Sequence, residues 1–121
     1  MKLIIPSFEN GAPIPAEFAM GIPAPDAPAT FGPNRSPHIV WADAPPGTQS
    51  FTLICTDHDA PSVRNDANQA GRTVPYDLAR VDFYHWVLVD IPADVRELPA
   101  GCDCEGVTVR GKEVGPTPYG R

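Results

Sequence analysis

The chain has 121 residues, a net charge of −6 and 42 % apolar residues. That length suits one domain at most, and that apolar share is enough to bury a core. An acidic surface repels phosphate polymers, which excludes DNA or RNA binding by charge; any anion must be held by a local site against the overall field.

Proline contributes 16 of the residues, against a usual share of about 5 %. The prolines punctuate the chain from Pro6 to Pro118 instead of forming one tract. Proline breaks helices and central sheet ladders, so short strands joined by ordered loops are expected, in a mainly β domain. The aromatic and β-branched runs between the prolines argue against disorder. The apolar stretch at Met1–Pro6 is too short for a signal peptide, and no run approaches a membrane span. The cysteines are Cys55, Cys102 and Cys104. An odd count without a signal peptide reads as reduced thiols in the cytoplasm.

In chain order, residues 2–5 read as a short edge strand, and residues 6–34, rich in Pro, Gly and Ala, as an extended irregular segment. His38-Ile39-Val40-Trp41 is a β-type run, followed by the turn signal Ala44-Pro45-Pro46-Gly47-Thr48. In Ser50–Thr56, Phe51, Leu53 and Cys55 alternate with Thr52, Ile54 and Thr56. This predicts a strand that ends at Asp57-His58-Asp59-Ala60-Pro61, with Cys55 buried on its apolar face. Residues 62–80 are polar, with one helical turn expected around Tyr76–Arg80. Phe83–Ile91 is the most apolar run and reads as a central strand covered on both faces and stopped by Pro92. A turn of helix is expected at Ala93–Leu98, a loop at Gly101–Gly106, and a last short strand at Val107–Val109.

Two stretches are candidates for chemistry. Asp57-His58-Asp59-Ala60-Pro61 stands where a strand presents polar groups to a cleft. The plainer reading is an Asp-rich turn that satisfies its own backbone amides. His85 lies inside the most apolar run, where its ring nitrogens need partners. A histidine bonded to a backbone carbonyl is the plainer reading there. If the two strands pair, an Asp–His contact would favour imidazolium, a donor for an anion.

The enzyme motifs fit poorly. The D-x-D after an apolar strand is similar to that of haloacid-dehalogenase-type phosphotransferases, but Pro61 stands where Thr or Val is wanted. Nothing after Asp59 supplies a calcium loop. Ser36, Ser50 and Ser62 are not in a nucleophile elbow. Cys102-x-Cys104 offers only two ligands of the four that a closed zinc site needs. No cofactor and no metal are expected.

In order along the chain, five segments carry a resemblance: Asn34-Arg35-Ser36-Pro37-His38-Ile39-Val40-Trp41, Pro45-Pro46-Gly47-Thr48-Gln49-Ser50-Phe51, Asp57-His58-Asp59-Ala60-Pro61-Ser62, His85-Trp86-Val87-Leu88-Val89-Asp90-Ile91-Pro92 and Pro99-Ala100-Gly101. Over about residues 5–101 the chain resembles the phosphatidylethanolamine-binding protein family, or Raf kinase inhibitor-like proteins, and its bacterial branch in particular. The resemblance implies a β-sandwich-like fold with short helices and one small anion-binding cavity. It implies that Asp57 and His85 line that cavity and that Asp59, Ala60 and Pro61 shape its wall. His58 replaces the family's usual proline, and Val63–Asp82 looks like an insertion. The family continues through a G-P-x-P-P-x-G-x-H-R-Y segment, whose start Gly115-Pro116-Thr117-Pro118-Tyr119-Gly120 echoes without the H-R-Y. The expectation is that the C-terminal part of the fold is supplied by a continuation or covered by a second copy.

The function expected is a non-catalytic binding module for a small anion or phosphorylated ligand, such as phosphate or a phospholipid head group. A protein kinase partner and a homodimer are the associations expected with it. The alternative is a weak hydrolase using His85 and Asp57 as an acid–base pair.

Overall fold

The computed structural model describes residues 1–102 together with Lys112 and Glu113. The elements in chain order are β1 (Lys2–Ile4), one 3-10 turn (Ala16–Phe18), β2 (Gly21–Ile22), β3 (Thr30–Phe31), β4 (Ile39–Ala42), β5 (Ser50–Pro61), β6 (Arg80–Pro92), β7 (Glu97–Leu98) and β8 (Lys112–Glu113). The protein is mainly β, as the spread of prolines requires.

Among the described residues three sheets form, all of them antiparallel. One has the order β1-β4-β7, one pairs β2 with β3, and one has the order β5-β6-β8. β1 takes the edge position expected of it. Within residues 6–34 the chain makes only the 3-10 turn and the two-residue β2–β3 ladder. Gly32 is required there: a Cβ would stand 2.3 Å from the Ala19 carbonyl oxygen, closer than any side chain tolerates.

The core lies between the β1-β4-β7 and β5-β6-β8 sheets. Strand alternation aims Ile39 and Trp41 inward from β4 while Ala42 is exposed. They cluster with Leu98 of β7, with Leu88 and Ile91 of β6, and with Val95 of the turn after β6. Phe51, Leu53, Trp86 and Cys102 pack on the margin of the cluster. The Trp41 and Phe51 rings meet edge to face at 5.5 Å, joining the two sheets. Arg96 lies over the second ring of this pair, its guanidinium 5.4 Å from the Phe51 centroid. It also donates to the Val95 carbonyl at 2.7 Å and to that of Ala93, tying down the turn after β6.

Several expectations are corrected. β5 includes the whole stretch Asp57-His58-Asp59-Ala60-Pro61 at which it was expected to end, and the alternation of Asp57 and Asp59 within it is broken by an irregular register. A proline is tolerated there because β5 is an edge strand among the described residues. The region of Tyr76–Arg80 is a turn, closed by the Leu78 N–H on the Pro75 carbonyl at 3.3 Å, and β6 already begins at Arg80. Ala93–Leu98 is a turn leading into β7, not helix. β6 is flanked by β5 and β8, but only its second half is covered. Leu88 and Ile91 are buried, whereas Val81, Tyr84 and His85 are exposed.

Cys55 is exposed, not buried. It keeps the alternation with Phe51 and Leu53, but β1, β4 and β7 are too short to cover the sheet that far along. Neighbouring groups still crowd the thiol and, with the nearby Asp57 carboxylate, push its pKa up, which keeps it protonated and a poor nucleophile. Cys102 is half-buried in a turn. Cys104, Val107–Val109 and the Gly115–Gly120 stretch lie outside the described residues.

Candidate anion-binding site

The exposed halves of β5 and β6 carry the site. Their ladder is interrupted three times, and each interruption matters. Between the pairs Cys55↔Trp86 and Thr56↔Tyr84, β5 advances one residue and β6 two. His85 is therefore the extra residue of a β-bulge. A bulge bends the strand and re-aims a side chain. Between Asp57↔Phe83 and Ala60↔Val81 the excess is on β5, so the extra residue falls at His58 or Asp59. The site thus stands between two bulges on opposite strands.

Asp57 pairs directly with Phe83 across the ladder, and Phe83 touches His85, ring to ring at 4.7 Å with the planes 78° apart. Asp57 reaches His85 along the same face: Oδ2 lies 3.7 Å from Nε2. That is an ion-pair separation, longer than a direct hydrogen bond. Both side chains are half exposed, His85 at 51 % and Asp57 at 43 %, so a solute can reach them. The other Asp57 oxygen, Oδ1, accepts the Asp59 backbone N–H at 2.8 Å. This local bond fixes the carboxylate and satisfies the amide that the bulge leaves out of the ladder.

The remaining expected site residues are placed differently. The Asp59 residue is exposed, and its backbone, through that bond, is what positions Asp57. Ala60 and Pro61 are half-buried beyond the β5 bulge, paired with Val81 and Arg80. His58 is exposed, and its Nδ1 is 2.7 Å from Asp82 Oδ1. Phe83, Asp82 and Arg64 were not singled out from sequence. Phe83 was within reach of period-two reasoning, since it lies two residues before His85. Arg64, whose guanidinium stands 5.2 Å from the Phe83 centroid, comes from the polar loop and gave no periodic signal.

The hydrogen bond and charge of Asp82 raise the pKa of His58, with Asp57 and Asp59 adding to the rise. A raised folded-state value means that the pair helps folding while His58 is protonated. The contribution is complete below the unfolded histidine value and fades as pH climbs through the folded one. By NMR titration, His58 is expected to lose its proton above about pH 6.5, the ordinary histidine value, and Asp82→Asn should bring the midpoint down. A midpoint unmoved by Asp82→Asn would contradict the assignment.

Among the described residues no group of three or more His, Cys, Asp or Glu side chains is arranged to hold a metal ion, and no helix is long and apolar enough to cross a membrane.

A small β protein whose bulged hairpin aligns an Asp, a His and an aromatic ring on one open face is the class that fold and site define. Residues 4–120 match the family model of phosphatidylethanolamine-binding protein, and the chain belongs to that family. Among proteins of similar sequence, the UPF0098 protein YbhB of Escherichia coli (strain K12) is 35 % identical over 101 residues, which are 84 % of this chain and 50 % of that protein. A UPF0098 protein of Aquifex aeolicus (strain VF5) is 36 % identical over 98 residues, 81 % of this chain and 41 % of that protein. The chain thus spans about half the length of these curated relatives, or less. The crystal structure of E. coli YbcL, described as a new member of the mammalian PEBP family, has the same fold. It superposes with a TM-score of 0.60 over 91 % of this chain and 56 % of the other, at 23 % identity.

Proposed function

We propose that the chain is a non-catalytic binding module for a small anion or a phosphorylated ligand, held at His85. The observation that carries this reading is the 3.7 Å pairing of His85 Nε2 with Asp57 Oδ2, on an open face and beside an aromatic ring. The carboxylate orients the imidazole, which when protonated is a donor at both nitrogens. Phe83 supplies a flat apolar wall. A phosphorylated head group and a phosphorylated protein present the same chemistry to such a donor. A kinase-signalling partner is therefore part of the proposal, as are a homodimer and association with a continuation of the fold. The odd cysteine count supports a reducing compartment, the cytoplasm.

The test is calorimetric titration of the full chain with phosphate and with acetate, for the native protein and His85→Ala. Affinity is expected to fall by about tenfold or more in the variant, the scale of a lost charge-assisted hydrogen bond. Equal affinity in the two proteins would defeat the reading. Turnover of phosphate or acyl esters that disappears in His85→Ala would make the pair an acid–base dyad and the protein a hydrolase instead.

A further inference from the structure

We infer that Asn10 is a site of spontaneous deamidation, at which the backbone nitrogen of Gly11 displaces the side-chain amide and water opens the resulting ring to aspartate or isoaspartate. The inference is independent of the anion-site reading and concerns another part of the chain, the exposed connection between β1 and the 3-10 turn.

For such a reaction the nitrogen that follows an asparagine must be free of hydrogen bonds, uncrowded, and able to turn towards the side chain. Gly11 meets each condition. Among the described residues its N–H has no acceptor. Residues 9–14 are all exposed, and a Cβ on Gly11 would meet nothing within 4 Å. The turn at Glu9–Ala12 is closed by one bond, from the Ala12 N–H to the Glu9 carbonyl at 3.1 Å, with Gly11 at φ +79° in third place. That is the type II pattern, which directs the Gly11 nitrogen away from the Asn10 side chain. Attack therefore takes place when the turn opens. Opening breaks a single solvent-exposed hydrogen bond, and glycine is the residue that rotates with least obstruction.

The other asparagines are protected. Asn34 is half-buried, and the nitrogen that would attack it, that of Arg35, donates to the Glu17 carbonyl at 3.0 Å. The Arg35 side chain is held as well, by the Glu17 carboxylate at 3.3 Å. Asn65 and Asn68 are exposed, but Asp66 and Gln69 follow them. A side chain at that position hinders both the approach and the backbone rotation.

The Asn10 amide group leaves as ammonia with the Gly11 N–H proton, while the new N–C bond closes a cyclic imide. Water then adds to either carbonyl carbon of the imide. One opening gives aspartate, and the other routes the backbone through the side chain and gives isoaspartate. Either product takes the net charge of −6 one unit further negative. Isoaspartate also lengthens the backbone by one carbon, which disrupts the Glu9–Ala12 turn. The anchors on either side do not depend on that turn. Ser7 Oγ accepts the His38 N–H at 2.9 Å, the Phe8 ring lies 5.8 Å from that of Phe18, and the Phe18 N–H donates to the Pro15 carbonyl at 3.0 Å. The converted chain therefore stays folded, and the change records the age of the molecule.

The test uses the full chain, as native protein, Gly11→Ala and Asn10→Gln, incubated in mildly alkaline buffer, which favours loss of the attacking proton. Ammonia release, peptide mapping by mass spectrometry and enzymatic methylation of isoaspartate follow the reaction. In the native protein Asn10 should convert before Asn34, Asn65 or Asn68, with isoaspartate among the products. Conversion should be several-fold slower in Gly11→Ala and absent from Asn10→Gln, and the converted protein should melt with the native one. Alanine is strained at the φ of Gly11, so Asn10→Gln, which leaves the glycine in place, shows independently that the ammonia comes from this residue. Conversion of another asparagine as fast as Asn10 overturns the inference. So does an Asn10 that reacts in the urea-unfolded chain but not in the folded one, or in neither. A lower melting temperature for the converted protein would overturn the claim that the fold survives the change.

Discussion

Leu88→Ala is expected to destabilise the fold by about 2–5 kcal/mol, the range for removing a fully enclosed aliphatic side chain and leaving a cavity. Leu88 is 0 % exposed, lies opposite Leu53 on β5, and sits in the cluster that joins β6 to Ile39, Trp41 and Leu98 of the facing sheet. Its loss would thin the contact between the sheets at its centre. Ile54→Ala is the natural control. Ile54 is 55 % exposed on the same hairpin and should change stability by no more than about 0.5 kcal/mol. Denaturant unfolding of both variants checks the contrast. Equal costs at the two positions would show that the two sheets do not share the core described.

Asp90→Val is expected to be less stable than Asp90→Gly by about 1–3 kcal/mol, both variants lacking the carboxylate. Asp90 has φ +57° within β6, at the point where the pairing passes from Leu53↔Leu88 to Phe51↔Ile91 and β6 gains a residue over β5. Aspartate and glycine visit this left-handed conformation readily, and a β-branched residue is strained in it. The bulge is also what returns Ile91 to the core face after Leu88, three residues earlier, instead of two or four. Thermal or denaturant unfolding of the two variants reads the difference. An Asp90→Val variant as stable as Asp90→Gly would mean that the strand can relax into a regular ladder there.

Much of this architecture was legible in the sequence. The alternation in Ser50–Thr56, the apolar run ending at Pro92, and the β-type run ending at Trp41 gave the three main strands, because burial imposes a period of two on them. The Asp57 and His85 segments were found for the same reason, since polar residues on apolar strands stand out. What was not legible came from bulges. Each bulge shifts the period by one, so the true faces of His85, His58 and Asp59 cannot be counted along the chain. Cys55 failed for a different reason. Its own strand is regular, and its exposure is decided by how far β1, β4 and β7 extend, which is a property of other segments. The helical turns expected at Tyr76–Arg80 and Ala93–Leu98 rested on short stretches where propensity is weak, and neighbouring strand pairing overrode it.

The order β1-β4-β7 also has a meaning in time. β4 has β1 on one side and β7 on the other, so its neighbours come from residues 2–4 and 97–98. A chain emerging from the ribosome can pair β1 with β4 early, but it lacks the second partner of β4 until Leu98 has been made. Until then the apolar face carrying Ile39 and Trp41 lacks β7 beside it, and until Ile91 has been made it also lacks the cover of Leu88 and Ile91. Pairings this distant in sequence are slow to close and leave sticky surface open while they form. The protein is thus most exposed to aggregation during its own synthesis, between the appearance of Trp41 and that of Leu98.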